Sequence, residues 1–465
     1  MEKDNSKFIR MTTEPVQRLI CTLAIPTIIS MMVTALYNIA DTFFVGRIGT
    51  EATAGVGLVF PIMTIIQAFG FFFGQGSGNY ISRSLGAQKL DHAAYMAATG
   101  SICALLFGGL ILGLGQAFRG TVLQLIGARA DLVSAGTVEA AKAYLSFILC
   151  GAPFMCASCV LNNQMRFQGN AFFSMIGLVS GAVINVALDP ILIFGAKMGV
   201  AGAALATSVS QAISCAILFI GTRRSDSLNI RLRNFRPTPY YLKNIAIGGL
   251  PSLCRQGLAS VATLCLNAAA GSAVAPALSD ASIAAFSVVG KIMMLGFSAL
   301  IGFGQAFQPV CGFNYGARKY DRVRAAYLFC LKVGVAFLLV VSSIGFAFAD
   351  KLIALFRDDP NVIAFGTVAM RCQCCTFTLM GLVTVTNMLY QNIGRVVGAT
   401  VLAVARQGLM FIPVVLILPR LFSQPIWGVY LAQPTADFFA FCLALPLAIK
   451  LYRELKSRET TEKVG

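Results

Sequence analysis

Charge is scarce in this chain. Only 12% of its 465 residues are Asp, Glu, Lys or Arg, against about a quarter in an ordinary soluble domain. Histidine occurs once, at His92, and tryptophan once. There is no HExxH, no phosphate-binding glycine loop and no Ser–His pairing, so hydrolytic and phosphoryl-transfer chemistry have no visible machinery. The 14 cysteines are scattered through apolar runs and lack the dense, exposed N/S spacing of a zinc or redox centre, so they read as small hydrophobes. The chain is not expected to be an enzyme or to carry a cofactor.

Apolar sequence is abundant instead. Hydrophobic residues make up 57% of the chain and mean hydropathy is +0.76. Runs of roughly 20 apolar residues, each long enough to cross a hydrocarbon layer of about 30 Å, recur along it. With no water to pair their backbone groups, such runs must be helices. Twelve are expected, near residues 19–45, 52–76, 93–116, 139–163, 172–195, 200–222, 243–270, 281–307, 323–348, 363–390, 397–418 and 426–450. The first run holds Pro26 and lacks a small-residue cleavage site, so it reads as a mature span.

The net charge of +17 reflects topology and not nucleic-acid binding. With the N-terminus inside, about 23 Lys and Arg, Arg166 among them, fall on the cytoplasmic side and about 7, including Arg129, fall outside. Both termini are therefore expected in the cytoplasm of a multi-pass plasma (inner) membrane protein.

The chain also repeats itself. FGQGSGNYISRSLGAQKLD at 73–91 aligns without gaps with FGQAFQPVCGFNYGARKYD at 303–321. At a shift near 225, Pro26 matches Pro251, Asn162 matches Asn387 and Gly169 matches Gly394. Six spans per half is an even number, so the halves insert the same way up. A pseudo-two-fold along the membrane normal is expected between two six-helix lobes. The expected divisions are an N-lobe at 1–222, a basic linker at 223–242, a C-lobe at 243–450 and a tail at 451–465.

An acid at the bilayer centre costs roughly 2.5–3.5 kcal/mol and needs a reason. Three fall within the expected spans: Asp41, Asp189 and Asp437. Asn185 and Asp189 are four apart and share a helical face. Pro190 follows, cannot donate a backbone hydrogen bond and should kink its helix. Two acids, an amide and a freed carbonyl suit a hard cation such as Na+. Two close carboxylates also do not ionise together readily in low dielectric, which suits proton loading. Satisfaction by neighbours, or a place near the interface, are the bland alternatives. Asp437 has the stronger one, pairing with a buried basic residue. The second half carries Arg255, Lys291, Arg371 and Arg406, which would line a charged cavity or snorkel. Pro26 and Pro251, like Pro190, mark helices that bend.

ALYNIADTFFVGRIG, the INVALDP run and the paired SLGAQKLD and NYGARKYD loops resemble the multidrug and toxic compound extrusion (MATE) transporters, on the bacterial branch of MepA-like and DinF-like proteins. The resemblance implies export of organic, often cationic and amphipathic compounds in exchange for inward H+ or Na+. It implies a cation site at Asp41, Asn185, Asp189 and Thr207, with Tyr37 beside it. The family's other branch carries an acid in the seventh span, where this chain has Arg255 and Gln256. Gln67, Asn38, Gln256, Arg255, Met293 and Asp437 are candidates for a substrate cavity. The expected partners are small organic substrates and membrane lipid, with a monomer as the working unit. Flipping of a lipid-linked precursor is the alternative within the same superfamily, and basic residues in the second half would suit its phosphate.

Overall fold

The computed structural model describes residues 2–128, 133–224, 228 and 230–464, with side chains described from 6 to 460. Arg129 and part of the expected linker lie outside these. Every regular element among the described residues is helical. Twelve long helices dominate: α1 (Val16–Gly46), α2 (Thr50–Gly86), α3 (Leu90–Ala117), α4 (Ala135–Phe167), α5 (Ala171–Gly195), α6 (Val200–Arg224), α7 (Pro239–Ser272), α8 (Ser279–Gly316), α9 (Tyr320–Ala347), α10 (Pro360–Phe377, continued as Met380–Asn392 after a 55° bend), α11 (Val396–Arg420) and α12 (Pro425–Val464). Eleven are long and apolar enough to cross a membrane when the bent α10 counts as one. The exception is α7, whose apolar run is diluted by Arg255, Gln256 and Asn267. Hydropathy did not reveal three shorter helices, Glu2–Thr13, Arg119–Leu125 and Ala349–Phe356.

Local geometry repeats where the sequence repeats. Gln88 and Arg318, which end the paired GAQ and GAR turns, both take the left-handed conformation, at φ 57° and 59°. Gly169 and Gly394 close α4 and α10 at φ 82° and 81°. Asn162 Nδ2 donates to the Ser174 carbonyl at 2.9 Å, and Asn387 Nδ2 to the Ala399 carbonyl at 2.6 Å. Each amide spans the turn between two helices and replaces backbone bonds lost at their ends.

The chain divides into two compact units, one of residues 1–11 and 29–253, the other of residues 12–28 and 254–465. The divisions fall inside α1 and α7, two residues after Pro26 and two after Pro251. Most of the first half of α1 thus belongs to the second unit, and the first half of α7 to the first unit. Small residues make both placements close. A methyl group built on Gly302 of α8 would lie 2.7 Å from the Ile28 Cα, and one built on Gly249 of α7 would lie 2.2 Å from the Phe72 carbonyl oxygen. Gly249→Leu is expected to destabilise the protein by about 3 kcal/mol, because backbone rather than a flexible side chain must yield. A thermal melt of the detergent-purified variant within a degree of wild type would contradict the close approach.

Candidate functional site

Three helices of the first unit build the site. Tyr37 and Asp41 stand four apart on α1, Asn185 and Asp189 four apart on α5, and Thr207 on α6. Asp189 is 0% exposed and Asn185 and Thr207 are buried. Asn185 Nδ2 faces Thr207 Oγ1 at 3.4 Å, and Thr207 Oγ1 donates to the Ala203 carbonyl at 3.1 Å. Asp41 and Asp189 are electrostatic neighbours, and Tyr37 and Tyr144 lie within range of both.

What these groups lack is informative. Both carboxylate oxygens of Asp189, Oδ1 of Asp41 and Oδ1 of Asn185 are buried without a hydrogen-bond partner among the described residues. Buried polar atoms are nearly always paired, and a buried carboxylate without donors is costly. Four orphaned oxygens, all acceptors, are the ligand type of a hard cation or the resting place of a proton. Directly after Asp189, Pro190 withholds its backbone donor from the Val186 carbonyl. The helix passes into a π-turn at Ile191–Gly195, so the expected irregularity is local widening of the helix.

A cavity of about 130 Å³ adjoins these residues within the same unit. Tyr37, Asn185 and Thr207 lie along it, as does the expected Gln67. Its α4 wall is Met155, Ser158, Cys159, Asn162, Asn163 and Arg166, one stripe at helical spacing. Ser158 Oγ donates to Gln211 Oε1 at 2.9 Å, linking that wall to α6.

The remaining residues sit in different surroundings. Arg166, counted with the cytoplasmic charges, is 1% exposed and lines the cavity. Asn38 does not line this cavity, and its amide donates to the Thr34 carbonyl at 2.8 Å. Gln256, Arg255, Met293 and Asp437 belong to the second unit. Met293 is buried in α8. Asp437 is no open cavity acid: it is 0% exposed, Arg406 donates to it at 2.9 Å and Gln433 at 2.7 Å. Arg406 also stacks over Phe297 at 5.0 Å. Tyr144, Ser210 and Arg166 were missed; for Arg166 the signal was there, since Ser158, Asn162, Asn163 and Arg166 fall on one helical face.

Known proteins agree with this architecture. The MatE family model matches residues 26–191 and 257–417, and the chain belongs to that family. It is a multi-pass membrane transporter and not an enzyme. The chain is 26% identical to the multidrug export protein MepA of Staphylococcus haemolyticus, over 92% of this chain and 93% of that one. It is 25% identical to MepA of Staphylococcus aureus, over 97% of both. A structure described as the outward-facing conformation of a multidrug resistance MATE family transporter of the MOP superfamily matches at TM-score 0.89 and 27% identity, covering 97% of this chain and 98% of that one.

Proposed function

We propose that this protein exports small organic compounds, cationic amphiphiles among them, by antiport against inward H+ or Na+ held at Asp41 and Asp189. The observation that carries the reading is the Asp189 carboxylate, buried with neither oxygen hydrogen-bonded among the described residues, beside a second acid in an apolar helix. A site that must bind and release an ion in each cycle cannot be satisfied permanently by its own protein. Asn185, Thr207 and Tyr37 complete the shell, and one ion supplies the charge that the four acceptor oxygens lack. Inward passage of one charge across 100 mV releases about 2.3 kcal/mol, enough for a gradient of about fifty-fold.

Ion loading draws α1 towards α5, and the prolines let that motion become a bend. Pro26 and Pro251 sit where the two units divide, and Pro190 opens the π-turn beside Asp189. In this reading residues 1–222 and 243–450 are the two repeated halves and 223–242 the linker, the rocking bodies being the two compact units that exchange residues 12–28 and 243–253 between those halves; a monomer in the plasma membrane, with both termini in the cytoplasm, is the working unit. Of the second-half basic residues that would suit the phosphate of the lipid-linked alternative, Arg406 is committed to Asp437.

The test is ethidium efflux from vesicles reconstituted with purified protein, under a pH gradient or a sodium gradient applied separately. One of the two drives efflux, and Asp41→Asn removes the driven component while the protein still melts cooperatively. Response to neither gradient, or full driven efflux by Asp41→Asn, would overturn the proposal.

A further inference from the structure

The cavity beside the acids carries a fixed positive charge at its other end. Arg166 lies 11 residues beyond Met155 on the α4 stripe, about 16 Å along the helix. It is 1% exposed. Its Nη2 donates to Asn163 Oδ1 at 2.7 Å, its guanidinium leans over Phe167 at 5.2 Å, and its Nε is buried without a partner among the described residues. No carboxylate lies within ion-pair distance among the described residues. Asn163 is itself engaged, accepting also from Gln75 Nε2 at 3.2 Å. A buried guanidinium with one neutral acceptor is poorly compensated. Its planar fork fits a carboxylate or phosphate edge better than any other partner. Ser210, which also lines the cavity, is 2% exposed, and its hydroxyl is a second buried donor without a partner among the described residues.

We infer that the cavity takes substrates bearing an acidic group, a carboxylate or a phosphate, seated on Arg166, with Ser210 holding a polar atom farther along. The inference rests on the transport reading above and adds acids and zwitterions to the organic compounds that this cavity accepts. An acid at Arg166 lies away from the carboxylates at the far end, so like charges do not meet. A soluble drug and the head of an anionic lipid present the same chemistry there.

Dansylglycine and dansylamide distinguish these cases, because they share a fluorophore and differ by a carboxylate. Full-length wild type in neutral detergent is expected to bind dansylglycine at least about tenfold more tightly than dansylamide, by fluorescence titration, the scale of one charge-assisted pair. Arg166→Gln is expected to reduce that ratio to near one, and Arg166→Lys to restore part of it. Equal affinity of wild type for the two probes overturns the inference without any variant. So does an unchanged ratio in a folded Arg166→Gln protein. Competition by short-chain phosphatidylglycerol identifies a lipid head as an occupant, and failure to compete leaves a soluble acid. If wild-type vesicles export ethidium under an ion gradient while the dansyl ratio is one, the acidic-substrate inference alone fails. If neither gradient drives any efflux, the transport reading fails first.

Discussion

Asparagine in place of Asp189 is expected to stop ion-driven efflux and at the same time leave the protein as stable as wild type or more so. Mutations at buried polar sites usually lose stability, because a partner is left unpaired. Here there is no partner to orphan: neither oxygen of Asp189 accepts a hydrogen bond among the described residues. The substitution removes an uncompensated buried acid and keeps its shape. A gain of about 1–3 kcal/mol is the scale of such a change. Function and stability then move in opposite directions, the behaviour of a site held in tension for its task. The measurements are ethidium efflux in vesicles under each gradient and thermal unfolding in detergent. A melting temperature several degrees below wild type would mean that Asp189 is structural, and the coupling reading would lose its main support.

Asp437→Asn should show the reverse pattern. This acid is as deeply buried as Asp189, but Arg406 and Gln433 both donate to it. Removing its charge strands a guanidinium that is only one-fifth exposed. The expected loss is about 3 kcal/mol, the low end for broken buried pairs, since Arg406 keeps some solvent and its contact with Phe297. The double variant Asp437→Asn/Arg406→Gln should recover a good part, because it leaves no lone charge. Thermal melts of the three variants give the coupling energy directly. If the double variant is no better than the single one, the pair is not the reason that Asp437 is there.

The same contrast explains what could be read from the residues alone. Asp41, Asn185 and Asp189 stood out because acids in oil are rare and the i, i+4 spacing is unambiguous. Asp437 stood out for the same reason, and only geometry separated the paired acid from the unpaired one, since Arg406 is 31 positions away. Arg166 was counted only as a charge on the cytoplasmic side, and sorting charges by side does not say whether one of them faces water or a cavity. Its neighbours at 158, 159, 162 and 163 share its helical face and line the same cavity. Eleven of the twelve long helices were visible in hydropathy as spans, whereas α7 falls short of the apolar run that a span needs, because Arg255 and Gln256 interrupt it. The Gln88 and Arg318 turns share a backbone conformation that no propensity requires of Gln or Arg. Their likeness was visible only as the repeated GA-x-K loop.

The placement of residues 12–28 has a consequence for how such a chain can arise or be cut. Leu19, Ile20 and Leu23 are buried and Ile28 meets Gly302 backbone to backbone, so this strip is core material of the second unit although it is encoded at the start of the first half. A polypeptide of residues 254–465 made alone would present an open seam along α8. An ancestral half-length protein would have met the same difficulty, and only a second copy, lending the beginning of its own first helix in return, would have closed it.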